Sequence, residues 1–249
     1  MTIDPIITSV AKVTVFENNK IISTASGFFY ENNSNLYFIT NRHVVIDEEE
    51  KYFPDIISLR LHVDPNNLQN NADFEIELYD VNNKPNWKEH PIHKKKVDIV
   101  ALPINKKDLE NKYFIRSFSP AIHVPNDIII PLAQDVIVMG FPKGFHDTVY
   151  NLPILRNATL ASVYPVPFKN KPYVLIDSHL HGGTSGSPVI TKPMNMVKTE
   201  SGSMQIRTGN PQYLIGIHSA SIDIEGTEDS DPLGLNCVWF ASLIDDITK

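Results

Sequence analysis

The stretch His181-Gly182-Gly183-Thr184-Ser185-Gly186-Ser187-Pro188 sets a serine among glycines just ahead of an apolar run. Such a turn presents one hydroxyl outward. It also lets the backbone N–H groups of Gly183 and Ser185 converge on one point with no Cβ in the way. Two donors aimed at one point could hold a developing oxyanion. A serine hydroxyl attacks only when a base removes its proton, which directs attention to the histidines. His43 follows the apolar strand Leu36-Tyr37-Phe38-Ile39-Thr40 on a turn, with Val44 and Val45 behind it. A carboxylate must then fix the imidazole tautomer and stabilise the imidazolium. Asp98 leads the apolar run Ile99-Val100-Ala101-Leu102, where an acid is costly unless paired. Asp47, Asp135 and Asp177 compete for the role, but none has so apolar a sequel. Two of these signals alone have an ordinary reading, a Gly/Ser turn and a structural histidine. Together, in the order His, Asp, Ser, they point to acyl transfer.

The elements that would position these groups read as strands. Ile57, Leu59, Leu61 and Val63 alternate with Ser58, Arg60 and His62, and Phe74, Ile76 and Leu78 with Glu75 and Glu77. This period-two pattern predicts half-buried antiparallel strands. Further strands are expected at 10–16, 21–30, 36–40, 99–102, 136–139, 152–163, 173–177, 214–219 and 238–240. Turns rich in Asn, Pro and Asp separate them. The one helical pattern is the short C-terminal ASLIDDITK. Pro120, Pro125 and Pro131 suggest a boundary near 118–130. The expectation is an all-β protein of two similar halves.

Composition narrows the partners. The chain has 249 residues, 42% hydrophobic and 20% charged, which is ordinary globular composition. A net charge of −7 lacks the basic footprint of a nucleic-acid binder. No apolar run is long enough to span a membrane, and no leader pattern opens the sequence, so no membrane association and a cytoplasmic location are expected. Cys237 is alone, which excludes an internal disulfide and suggests a buried structural thiol. The run His93-Lys94-Lys95-Lys96 reads as a solvated loop. His179 and His181 form a His-x-His pair without a third ligand placed by sequence, so neither metal nor cofactor is expected.

Thr40-Asn41-Arg42-His43, Asp98-Ile99-Val100-Ala101-Leu102 and Gly183-Thr184-Ser185-Gly186-Ser187-Pro188 resemble the motifs of the trypsin/chymotrypsin-like serine proteases. Their wording, with Val138-Met139-Gly140-Phe141-Pro142, looks more like the bacterial HtrA and glutamyl-endopeptidase branch than digestive trypsin. The resemblance covers roughly residues 10 to 245. It implies two perpendicular six-stranded antiparallel β-barrels with the active site in the cleft between them. One would span 1–120 and carry His43 and Asp98. The other would span 121–249 and carry Ser185 and the specificity pocket, ending in the short helix. It implies Ser185 as nucleophile, His43 as general base and then acid, Asp98 as orienting carboxylate, and the amides of Gly183 and Ser185 as oxyanion hole.

The same resemblance implies a substrate site. Leu214 to Ser221 looks like the strand that walls the primary pocket, so Ser219, Ala220 and Ser221 would pair with an extended peptide. His218 stands where some relatives read Glu or Gln, while a buried barrel histidine is its ordinary alternative. His179 and Leu180 would sit at the pocket base. With no acid there, a preference for Lys or Arg is disfavoured, and acidic, amide or medium apolar side chains stay open. Thr184 replaces the Asp of zymogen-activated members, so activation through a new N-terminus is not expected. A protease domain alone is expected, without the peptide-binding domain that HtrA proteins carry after it. A protein or peptide is the expected partner. Two alternatives remain: a catalytically silent protease-like peptide-binding module, and a protease that an activating protein partner switches on at the loop around Gly182 and Gly183.

Overall fold

The computed structural model describes residues 3–222 and 233–249. Seven strands form an antiparallel sheet in the first half: β1 (Val10–Glu17), β2 (Lys20–Asn32), β3 (Asn35–Thr40), β4 (Ile56–His62), β5 (Asn71–Glu77), β6 (Lys88–Glu89) and β7 (Val100–Ile104). Their order is β5-β4-β1-β2-β3-β7-β6. The second half contains β8 (Ile128–Ile129), β9 (Asp135–Gly140), β10 (Ile154–Leu160), β11 (Tyr173–Asp177), β12 (Pro188–Thr191), β13 (Met196–Thr199), β14 (Met204–Ile206), β15 (Leu214–Ser221) and β16 (Leu235–Phe240). Six of them close a barrel in the order β10-β11-β16-β15-β12-β9. The other three form a small sheet, β14-β13-β8. Three short helices complete the described fold: α1 (Arg42–Val45), α2 (Lys106–Leu109) and α3 (Ser242–Thr248).

The all-β expectation and the C-terminal helix are met. The first half carries seven strands because the two-residue β6 pairs with β7, Lys88 with Ala101 and Glu89 with Val100. The small sheet went unforeseen. Its strands are short and all three residues of β14 are exposed, so no apolar alternation announces it. Residues 94–96 form an exposed 3₁₀ turn and Cys237 is a buried free thiol, as expected. Among the described residues no helix is long and apolar enough to cross a membrane.

Side chains alternate across a strand, and here both faces of the central strands are buried. Ala25, Phe29, Leu36, Phe38, Val100 and Leu102 enter one core with Val13, Leu59 and Trp87. Phe28, Tyr30, Tyr37, Ile39, Ile99 and Ala101 enter the other, shared with Val138, Ile176, Ile217 and Val238 of the barrel. β2, β3 and β7 are thus a common wall. His43 follows β3 directly and Asp98 precedes β7, so both sit at one end of that wall. Phe38 has no exposed surface and meets Phe29 edge-on at 5.2 Å. Phe38→Ala should cost about 3–5 kcal/mol, read as a lowered midpoint in urea unfolding.

Candidate active site

Thr40 ends β3, and the chain turns through Asn41 into α1. The Asn41 amide nitrogen donates to the Asp98 carbonyl at 2.7 Å, joining the end of β3 to the start of β7. The Asp98 carboxylate then accepts from the His43 backbone N–H at 3.0 Å and from His43 Nδ1 at 2.7 Å. A third donor comes from β15, where the Ser219 hydroxyl donates to Asp98 Oδ2 at 2.5 Å. A carboxylate only accepts, so Nδ1 carries the imidazole proton and Nε2 keeps its lone pair.

Burial is the largest influence on His43 and pushes its pKa down. The hydrogen bond to Asp98, the charge of Asp98 and the charge of Asp47 together outweigh it, and the net shift is upward from 6.5. His43 and Ser185 line one cavity of about 390 Å³, with Ser23, Thr24, Ala25, Val44, Asp47, Tyr52 and Ala220. In the resting site the Ser185 hydroxyl donates to the Ser219 carbonyl at 3.1 Å. Nucleophile–base contacts are often loose before substrate binds, and rotation about Cα–Cβ redirects the hydroxyl.

The loop before Ser185 is held from several sides. Thr184 donates its hydroxyl to the His181 carbonyl at 2.7 Å, so this position braces the turn from within. The Lys143 amide donates to the Gly182 carbonyl at 2.6 Å. Gly183 lies at φ +89°, and a Cβ there would come within 2.7 Å of the Phe141 carbonyl oxygen. Among the described residues the N–H groups of Gly183 and Ser185 have no acceptor. They are a free pair of donors in the loop that carries Ser185.

The remaining expected residues are spread more widely. His218 is 3% exposed, with Nδ1 3.0 Å from the Thr184 carbonyl and Nε2 3.4 Å from Asn236 Oδ1. Burial pushes its pKa down. Leu180 is half-buried and packs against the shared core. His179 is exposed and meets His181 edge-on at 4.8 Å. Ser219 is buried, whereas Ala220 and Ser221 are exposed at the end of β15. Sequence reading missed Ser26, Asn41 and Lys143 and gave Ser219 only a peptide-binding role. Asn41 was in view inside the His43 motif, and Ser26 as the hydroxyl next to the apolar run of β2.

The model of the trypsin-like peptidase domain matches residues 25–197. The chain belongs to this family. Among solved structures, a serine endoprotease from Yersinia pestis is similar, with a TM-score of 0.54 at 14% identity over 97% of this chain and 62% of that one. The peptidase chain therefore spans about 62% of the length of that protein. Rv3671c from M. tuberculosis, an inactive serine-to-alanine mutant, has a TM-score of 0.49 at 12% identity, covering 97% of this chain and 85% of that one. No curated protein sequence matches the chain.

Two outcomes follow for this trypsin-like peptidase domain. Protonated His43 has no lone pair for the Ser185 proton. The rate of labelling by a fluorophosphonate should therefore rise with pH through a midpoint above 6.5. A flat profile from pH 5 to 9 contradicts His43 as the base. Gly183→Ala meets both a positive φ and backbone atoms, and should slow labelling by a factor on the order of 100. Gly182→Ala has open space around its Cβ and should label like the wild type.

Proposed function

We propose that this protein is a serine endopeptidase that cleaves peptide bonds in proteins through an acyl-enzyme. Ser185 attacks the scissile carbonyl, His43 takes its proton, and Asp98 holds the imidazole in the productive tautomer. The N–H groups of Gly183 and Ser185 bind the oxyanion. His43 then protonates the leaving amine, and water repeats the sequence to release the acyl group. The observation that carries this reading is the 2.7 Å bond from His43 Nδ1 to Asp98, on a histidine that shares its cavity with Ser185. We divide the chain into 1–120 with His43 and Asp98 and 121–249 with Ser185. No bound group enters this chemistry.

An extended peptide would lie along the end of β15, where Ser219 to Ser221 offer backbone groups for pairing. His218 gives little support to acidic specificity, since its N–H is already held by Thr184. The unpartnered Gly183 and Ser185 amides favour a site ready on folding over one that needs an activating partner. The buried lone thiol of Cys237 supports a reducing, cytoplasmic compartment. The resting contact of Ser185 with Ser219 is the one feature that favours a silent peptide-binding module. Intact mass after a fluorophosphonate separates the two readings. One adduct is expected on the wild type and none on Ser185→Ala, whose peptide hydrolysis should fall by a factor on the order of 10⁶. A wild type without adduct overturns the peptidase reading.

A further inference from the structure

Ser26, at the middle of β2, touches the nucleophile loop with both its backbone and its side chain. Its hydroxyl donates to the Gly183 carbonyl at 2.8 Å and accepts from the Phe141 amide at 2.9 Å. Its own amide donates to the Ser185 carbonyl at 2.9 Å. Its carbonyl accepts from the Thr40 hydroxyl at 2.8 Å, three residues before His43. Ser26 has no exposed surface.

Gly183 lies between two peptide planes. The plane before it sets the direction of the Gly183 N–H, because C=O and N–H of a trans peptide point opposite ways. That plane is held where the Lys143 amide grips the Gly182 carbonyl. The plane after it is held where the Ser26 hydroxyl grips the Gly183 carbonyl. The same hydroxyl also anchors Phe141, two residues before the amide that does the other gripping. Two adjacent glycines otherwise leave these planes free to turn.

The surroundings make room for this contact. A Cβ on Gly186 would sit 2.1 Å from the Ser26 carbonyl oxygen, and one on Gly140 would sit 2.8 Å from its hydroxyl.

We propose that Ser26 is a positioning residue for the oxyanion amides: its hydroxyl fixes the peptides around Gly183 so that the Gly183 N–H faces the Ser185 hydroxyl. This rests on the peptidase reading. Ser26 touches no substrate and acts through Gly183.

The test uses Ser26→Ala and Ser26→Cys. Cysteine fills the space that alanine would leave, with a sulfur somewhat larger than the oxygen, but donates and accepts weakly. Both variants should lose kcat by about 10- to 100-fold, below the loss from deleting an oxyanion donor outright. KM should stay within about threefold, since the interaction is made in the transition state. The pH midpoint should not move, because His43 and Asp98 are untouched. A packing role alone predicts that Ser26→Cys, which fills the site, keeps far more of kcat than Ser26→Ala, and that result overturns the proposal.

A second readout does not need turnover. With the eleven glycines labelled with ¹⁵N, the Gly183 amide should give one sharp resonance in the wild type and a broadened or split one in both variants. If the wild type neither cleaves nor labels, the peptidase reading fails, and this spectrum alone decides on Ser26. A Gly183 resonance unchanged in both variants overturns the positioning role.

Discussion

The Asp98 carboxylate is the group around which this molecule is arranged. It sits at the start of β7, where a bare charge entering the apolar wall would be costly. Three donors remove that cost. Two come from His43 on the same half, and the third from Ser219 on β15. Because the carboxylate can only accept, each donor is fixed in orientation as well as in place. The imidazole has one allowed tautomer, and β15 is tied to the end of β7. Asn41 completes the arrangement by holding the Asp98 backbone.

That geometry requires the two halves to keep one relative position. The shared core provides most of the hold, since Phe28 and Ile39 of the first half pack in one cluster with Val138 and Ile217 of the second. Polar ties then fix its register. His62 Nε2 meets the Tyr150 carbonyl at 2.8 Å, and the Asn151 amide donates to the Arg60 carbonyl at 2.9 Å. At the far end α3 folds back on the first half, with Tyr30 donating to Asp245 and Asn32 to Thr248. Each bond contributes only about 1 kcal/mol net, yet leaving a buried partner unpaired costs more. Sliding one half over the other would break several at once.

Much of this was legible in the sequence, for a physical reason. Strands that bury one face repeat at period two, and the run Ile57 to Val63 became β4; strands buried on both faces read as short apolar runs, and Tyr173 to Asp177 became β11. The motifs around His43, Asp98 and Ser185 were readable because each breaks an apolar run with a group that needs a partner. Contacts made between distant strands were not readable. Nothing local to Ser26 says that Gly183 lies 2.8 Å from its hydroxyl, and nothing local to Ser219 says that Asp98 is its acceptor. β14 was hidden because all three of its residues are exposed, and β13 because its alternation runs over only four residues.

His218 joins these points. Its sequence position admits a ligand-reading role or a structural one, and its environment weighs toward the second. Burial pushes the pKa of the ring down and so favours its neutral form, which has a single N–H. In that form Nδ1–H donates to the Thr184 carbonyl at 3.0 Å. The other nitrogen faces Asn236 Oδ1, whose amide nitrogen already donates to the carbonyls of Ser178 and Gly234. Two acceptors then face each other, which explains the longer 3.4 Å separation. The backbone of His218 adds two bonds, accepting from Gly186 and donating to Ser187. One residue of β15 therefore grips the loop that carries Ser185 on both sides of it, as Ser26 grips it from β2. A loop built of glycines keeps a single shape because strands from both halves hold it.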